Sequence, residues 1–386
     1  MKTLPLSYIE ISKKNLVHNI KQFRGLIKKR TKIAGVIKAN AYGHGDKEVA
    51  KILAPYVDYF QINSTEELEG LRNVTKKPIL LLGYVGKNDL KRSIKLGCIL
   101  TVFDFEHMLL VNQAARSLGV KQKVHVAVDA HLGREGFTLP DLEFIMPEIG
   151  KMKNINIDGV YAHFANIEDI HPDGLFGTGE DFSHARSQID IYQKVLNIFR
   201  TYGYNKIHTH ISATSGVLVY EQGLGLNSIV RVGVGLYGMW PSEDLKNKYK
   251  NKMVLKPVMR WVTHVAQVKT LPKGHSIGYG LTYVTDKETK IAVIPQGYSN
   301  GLPRLLSNKG SVLIESKRAP ILGRVAMNMF VVDVTHIKNV VSESEVVILG
   351  KQGSSEITAE DLAEQTDTIN YEVTTRVSAL LPRVVK

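Results

Sequence analysis

Lys38 lies in Ile37-Lys38-Ala39-Asn40-Ala41-Tyr42-Gly43-His44-Gly45, an amine set between an apolar run and a glycine-bearing turn. The preceding Ile33-Ala34-Gly35-Val36-Ile37 is rich in β-branched residues and reads as a buried strand. Asp46 can cap a following helix, whose apolar Val49, Ala50 and Leu53 recur at helical spacing. Burial disfavours an ammonium, and the amine left when it loses its proton is a nucleophile toward carbonyls. The chemistry that uses such a lysine is an imine with an aldehyde such as pyridoxal 5'-phosphate (PLP). Lys38 alone leaves open a plainer alternative, a lysine at a strand end with its stem on apolar surface and its head in water.

Other polar groups stand at the ends of strand-like runs. They are Asp129-Ala130-His131-Leu132-Gly133-Arg134, His163, Ser212-Ala213-Thr214-Ser215-Gly216 and Arg231-Val232-Gly233-Val234-Gly235. Ser215-Gly216 opening a helix, with Gly233-Val234 beside it, offers a hydroxyl and backbone N–H groups to a phosphate dianion. A helix cap and a tight turn would read the same way on their own. Further on come Ile277-Gly278-Tyr279-Gly280-Leu281-Thr282-Tyr283, Gln296-Gly297-Tyr298-Ser299-Asn300-Gly301 and Leu322-Gly323-Arg324-Val325-Ala326-Met327-Asn328-Met329. The last blocks are Ile369-Asn370-Tyr371-Glu372-Val373 and Leu381-Pro382-Arg383. Tyrosine between glycines also serves as a simple turn residue.

These groups need a scaffold that collects strand ends. Eight strand candidates recur: Ile33–Ile37, Asp58–Ile62, Pro78–Leu82, Ile99–Phe103, Val124–Val128, Ile157–His163, Lys206–Ile211 and Ile229–Val232. Helical patterns alternate with them, among them Thr65–Arg72 behind a Ser64/Glu67 capping box, Phe105–Leu118 and His184–Tyr202. Strand-helix alternation of this kind predicts an α/β fold, a (β/α)8 TIM-type barrel over 12–240, with a doubly wound open sheet as the alternative. In such barrels the chemistry gathers at the carboxyl ends of the strands. The polar stretch 166–182 reads as a long loop at the barrel mouth. From about residue 241 the pattern becomes short β-like runs, which predicts a mostly β domain over 241–386, joined by the N-terminal strand within 1–11.

With 386 residues the chain can hold two cores, and its 44% hydrophobic and 23% charged content is ordinary for a globular protein. The formal charge of +13 comes from scattered lysines with little aromatic interleaving, which argues against nucleic acid as a partner. Cys98 is the single cysteine and cannot form an internal disulfide. No run reads as a signal peptide or membrane span, so a cytoplasmic enzyme is expected, without a metal.

The block from Val36 to Gly45 resembles the PLP-attachment signature of the alanine racemase family, and matches to that family continue in order from Tyr8 to Arg383. The resemblance implies a PLP-binding barrel, a β domain and a homodimer whose sites are each completed by the partner's β domain. It implies interconversion of L- and D-alanine for peptidoglycan by two bases, Lys38, which holds PLP as an imine, and Tyr279 from the other subunit. Tyr42, Ser215, Tyr371 and the backbone of Gly233 and Val234 match the phosphate-holding positions. Arg231 matches the group facing the pyridine nitrogen, and His163 a group near the ring. Arg134 matches a residue bonding the cofactor's phenol side, and with the backbone N–H of Met327 it should meet the substrate carboxylate. Tyr298, Arg304 and Arg324 match residues at the entrance. Lysine and tyrosine ordinarily ionise near 10, so acting near neutrality asks for shifts of roughly three units, about 4 kcal/mol each.

The chain also departs from that pattern. Ala127 stands where many relatives carry a lysine, often carbamylated, and Asp129-Ala130-His131 replaces Asp-Thr-Gly. The anion that positions Arg134 is therefore expected elsewhere, from a bound chloride or Asp129. Asn300 and Asn328 replace the usual aspartates, and Ala213-Thr214-Ser215 replaces Ala-Asn-Ser. A racemase of serine, lysine or several amino acids keeps the same chemistry. A PLP decarboxylase of this fold would want a late cysteine, and a non-catalytic PLP-binding barrel would lack the β domain that carries Tyr279.

Overall fold

Each of the eight β-branched runs becomes a strand in the computed structural model, which describes residues 4–168 and 183–386. After β1 (Tyr8–Ile11) come β2 (Lys32–Val36), β3 (Tyr59–Ile62), β4 (Ile79–Leu81), β5 (Ile99–Val102), β6 (Gln122–Ala127), β7 (Ile155–Tyr161), β8 (His208–His210) and β9 (Ile229–Val232). Strands β2 to β9 pair in parallel in the order β8-β7-β6-β5-β4-β3-β2-β9. The two ends of that sheet are linked by Ser228 N–H to Thr209 O at 2.9 Å and Arg231 N–H to Ser212 O at 3.0 Å, so the barrel is nearly closed. Every residue of β3, β4, β5 and β9 is buried, as expected of parallel strands covered on both faces.

Helices follow the strands, and local signals start them. Ser64 and Glu67 form the expected capping box ahead of Thr65–Arg72, and Asp104 accepts the His107 N–H ahead of Phe105–Ser117. The helix expected behind an Asp46 cap instead begins at Asp46 and runs to Leu53. Inside the barrel Ala34, Tyr59, Leu80, Ile99, Ala127, Tyr161 and Ile229 pack as one cluster. Of the mouth loop expected over 166–182, residues 169–182 lie outside the described residues.

The chain divides into two packed units. One holds Leu16–Ala39 and Val49–Lys256; the other holds the N-terminal residues to Asn15, Asn40–Glu48 and Pro257–Lys386. By packing, the barrel unit runs on past residue 240 to Lys256. The Asn19 amide explains part of the difference, because it donates to Lys256 O at 2.8 Å and accepts the Lys256 N–H at 2.9 Å, tying that stretch to the barrel.

The second unit is built on a ten-stranded sheet. To β1 it adds β10 (Met259–His264), β11 (Gln267–Leu271), β14 (Thr289–Ile294), β15 (Ser311–Ile314), β16 (Lys317–Leu322), β17 (Phe330–Asp333), β18 (Glu345–Gln352), β19 (Ser355–Ile357) and β20 (Arg383–Val385). A separate ribbon pairs β12 (Ser276–Ile277) with β13 (Tyr283–Val284). Strand β1 lies antiparallel to β10 and parallel to β20. Among the described residues no helix is long and apolar enough to cross a membrane.

Candidate active site

Lys38 opens a strained turn. Ala39, Asn40, Ala41 and Tyr42 all have φ between 52° and 54°, a left-handed helical turn without glycine. Each such residue costs about 1–2 kcal/mol, so the surroundings must impose it. The Glu67 carboxylate accepts the Ala39 N–H at 2.6 Å. Asn40 accepts Gly45 N–H at its carbonyl and Asp46 N–H at its side chain. The His44 Nδ1 faces the carbonyls of Ala41 and Tyr42 at 3.1 and 2.9 Å, so its hydrogen sits there. Burial lowers the His44 pKa to about 4, which keeps that ring neutral. Arg383 donates twice to the Gly43 carbonyl, at 3.2 and 2.7 Å.

Gly43 has φ 81°, and a Cβ on it would lie 1.9 Å from the Thr374 carbonyl oxygen. Gly43→Ala is therefore expected to destabilise the protein by about 2–4 kcal/mol in chemical denaturation. A loss under about 0.5 kcal/mol, the size of an ordinary surface change, would mean that the turn is not held there.

Half-buried Lys38 lines a cavity of about 530 Å³ together with Asn63, Tyr84, Phe103, Arg134 and Glu135. Burial, and after it the charges of Arg134 and Arg231, lower the Lys38 pKa. The free amine is thereby favoured. The Arg134 guanidinium forks onto Glu135, its NH2 at 2.8 Å from Oε1 and its Nε on Oε2. Asp129, one of the two expected anions, instead accepts the N–H groups of Leu132 and Gly133. Glu135 is the anion on Arg134 here, and the sequence reading had missed it.

Arg231 is 3% exposed. Its NH2 donates to the carbonyls of Ala162 and Ile211 and to Nδ1 of His163, and NH1 donates to Nδ1 of His210. Burial lowers its pKa only to about 10, so it remains a cation and a donor near neutrality. Burial and the cations Arg231, Arg134 and Lys38 push His163 down to about 3, which leaves it a neutral acceptor.

Ser215 lies in the first turn of the helix Thr214–Leu224, and its hydroxyl donates to the Glu168 carboxylate. A carboxyl oxygen thus already sits on the donor expected to meet a phosphate, and burial raises the pKa of that carboxyl. The Gly233 N–H, expected for the same anion, donates to the Thr214 hydroxyl at 3.0 Å. Thr214 is the residue that replaces the usual asparagine, and its hydroxyl gives the change a use. Glu168 could not be found from sequence, since 47 positions separate it from Ser215.

The remaining expected residues belong to the β-rich unit. Tyr42 and Tyr371 meet with ring centroids 6.1 Å apart. Elsewhere in this unit three loops brace one another. Tyr298 N–H donates to Ala326 O, and Ser299 donates to Met327 O through both N–H and hydroxyl. The Asn328 amide donates to the Ser299 hydroxyl, and Asn300 accepts the Gly297 N–H, which occupies the two asparagines found in place of aspartates. A Cβ on Gly280 would lie 2.9 Å from the Arg324 guanidinium, which puts Arg324 against the Tyr279 loop. Tyr279 itself is 75% exposed. Arg304 opens a separate short turn whose carbonyl receives Ser307.

Comparison with known proteins agrees with this arrangement. Residues 11–241 match the family description "Alanine racemase, N-terminal domain" and residues 258–385 match "Alanine racemase, C-terminal domain". Alanine racemase 2 of Caldanaerobacter subterraneus subsp. tengcongensis is 36% identical over 380 residues, 97% of this chain and 94% of that one. Alanine racemase of Halothermothrix orenii is 36% identical over 386 residues, 98% and 97% of the two chains. A solved alanine racemase of Clostridium difficile 630 superposes with a TM-score of 0.90 at 32% identity, covering 100% of this chain and 97% of that one. Two family descriptions that together span the chain and full-length relatives at more than 30% identity thus agree, and the chain belongs to the alanine racemase family.

Proposed function

We propose that this protein racemises alanine with PLP, the observation that carries the reading being the Lys38 amine, its proton loosened by burial, at a barrel strand end. The residues present fit the cofactor. Buried Arg231 is a cation whose NH1 and NH2 meet only carbonyls and histidine nitrogens among the described residues, and the Ser215 hydroxyl already meets a carboxyl oxygen. PLP, when bound, supplies an electron sink that acidifies the α-hydrogen of the amino acid.

The chain does the rest. Lys38 would hold the cofactor covalently until the amino acid displaces it, and its freed Nζ would then move a proton on one face of the α-carbon, while Tyr279 of the partner subunit would move one at its hydroxyl on the other. Ser215, Tyr42, Tyr371 and the backbone of Gly233 and Val234 hold the phosphate, and Glu168 gives up the Ser215 hydroxyl to it. Arg231 donates to the ring nitrogen beside His163. Having no proton it can readily release there, it leaves that nitrogen unprotonated and the sink weaker, which restrains transamination. Arg134, steadied by Glu135, and the Met327 N–H take the substrate carboxylate. Tyr298, Arg304 and Arg324 line the entrance. In this reading the working unit is a cytoplasmic homodimer supplying D-alanine for peptidoglycan.

Incubating the purified protein with PLP and L-alanine in deuterated water is expected to place deuterium on the α-carbon of both enantiomers. Serine and lysine run in parallel are expected to exchange more slowly. The absence of exchange with alanine would end the reading, and faster exchange with another amino acid would move the substrate to it.

A further inference from the structure

The helix Ser183–Thr201 sets a row of polar tips against the barrel strands and the loops that follow them. His184, Gln188 and Tyr192 recur at four-residue spacing, so they share one face. Nε2 of His184 donates to the His131 carbonyl at 3.1 Å. The Tyr192 hydroxyl donates to Val160 O at 2.7 Å and accepts the His210 N–H at 3.0 Å. Between them the Gln188 amide makes three bonds. Its Nε2 donates to Ala130 O at 2.7 Å and to His163 O at 3.0 Å, and its Oε1 accepts the Ala165 N–H at 2.9 Å.

Gln188 is 0% exposed, so every polar atom of that amide depends on protein partners. Its orientation is fixed by elimination. A carbonyl only accepts, so the amide nitrogen must face Ala130 and His163, and the oxygen must face the Ala165 N–H. Turned over, the amide would set an oxygen against two carbonyls and a donor against a donor in a buried place.

The three partners lie in the two segments that carry Arg134 and His163. Ala130 belongs to the loop after β6. There Asp129 accepts the N–H groups of Leu132 and Gly133, and the Phe137 N–H returns to Ala127 O at 2.9 Å, which closes the loop beneath Arg134. His131 has φ 62°, unfavourable for a residue with a Cβ. The carbonyls of the two peptides that flank its α-carbon, those of Ala130 and His131, are the ones held by Gln188 and His184. The helix therefore imposes the conformation from which the rest of the loop departs. On the other side, the bonds to His163 O and Ala165 N–H bracket the end of β7, where Nδ1 of His163 meets Arg231.

We propose that Gln188 is a positioning residue for Arg134 and His163, one buried amide that fixes the loop carrying the first against the strand end carrying the second. Its effect on turnover rests on the alanine racemase reading given above; the clamp does not. In the PLP-loaded wild-type protein with nitrogen-15 glutamine, both Gln188 side-chain hydrogens, assigned by their proximity to the Ala165 N–H, are expected to exchange at least about a hundredfold more slowly than those of a free amide. Gln188→Glu replaces Nε2 by an oxygen. When protonated that group still donates to one carbonyl; when ionised it donates to neither, and burial raises its pKa. The titratable groups around it are His184 one turn before, Tyr192 one turn after and His163, with the Arg231 charge beyond His163. Relative to wild type at the same pH, kcat/KM of Gln188→Glu for alanine is expected to fall about tenfold to a hundredfold from pH 6 to pH 9. The loss should lie chiefly in KM, because Arg134 takes the substrate carboxylate. Gln188→Leu, with no donor at any pH, is expected to stay low throughout.

Rapid exchange of the Gln188 hydrogens in the wild-type protein would overturn the proposal even if neither variant folds. A folded Gln188→Glu whose kcat/KM follows the wild type at every pH, or whose loss is the same at pH 6 and pH 9, would overturn the positioning role. Protected hydrogens in a protein that turns over no alanine would overturn the reading of the site and leave the clamp standing.

Discussion

Lys38→Met is expected to reduce racemisation by at least about a thousandfold, the scale of losing a covalent catalyst. PLP is expected to wash out of the variant on dialysis, because the amine that retains it is gone. The same change should raise the melting temperature of the cofactor-free protein at neutral pH. The sign follows from linkage. Burial and the charges of Arg134 and Arg231 put the folded-state pKa of Lys38 below its ordinary value of 10.5. Between those two values the unfolded chain binds more protons than the folded one, so stability rises with pH across that window. Below it the folded protein carries the full penalty of a desolvated ammonium. Methionine keeps the stem and removes the charge, so the gain should be largest below that window and fade as pH approaches 10.5. Melting curves on the apoprotein at pH 7 and pH 10.5 read both ends. Retained activity, or a variant less stable at neutral pH, would contradict a strained, functional lysine.

What the sequence discloses and what it withholds follow from the range of the forces involved. The barrel strands are legible because a parallel sheet covered on both faces needs unbroken β-branched runs, and Ile229–Val232 is read to the residue. Strand β8 is shorter than the candidate Lys206–Ile211, with only His208–His210 in the ladder, because pairing with β7 decides where a strand ends. The Ser64/Glu67 cap is local and readable, but its third task, accepting the Ala39 N–H, joins residues 28 positions apart. Nothing in Ala39-Asn40-Ala41-Tyr42 favours positive φ strongly; only tertiary partners such as Glu67 and Arg383 impose it. Glu135 adjoins Arg134, yet neighbouring side chains seldom face each other in regular structure, so the loop conformation had to be seen. His125, His208 and His210 sit on strands, but which rings meet inside a barrel depends on register across β6, β7 and β8.

Mixing two inactive variants, Lys38→Met and Tyr279→Phe, is expected to restore about a quarter of wild-type activity if sites are shared across a two-fold dimer. The arithmetic is that of random exchange between protomers. Half of the dimers are then mixed, and each mixed dimer holds one site with neither lesion and one with both. If Lys38 and Tyr279 of the same chain served one site, every site in the mixture would carry a lesion and no activity would return. The surface around Tyr279 favours the shared arrangement. Tyr279 is 75% exposed, and Leu281, Met327 and Met329 in the neighbouring loops are 67%, 55% and 53% exposed. Large apolar side chains gathered on two loops that brace one another are suited to a partner surface. A phenol that acts as a base near neutrality needs nearby cations to stabilise its phenolate, since burial alone disfavours the charged form. With three-quarters of its surface in water, Tyr279 is uncovered in the isolated chain, and a partner surface can cover it. Tyr279→Phe removes only the hydroxyl, so the variant should still dimerise and bind PLP, leaving exchange of protomers as the one requirement of the test. Recovery near a quarter after joint refolding, against none when the variants are refolded apart and then combined, would assign the second base to the neighbouring protomer.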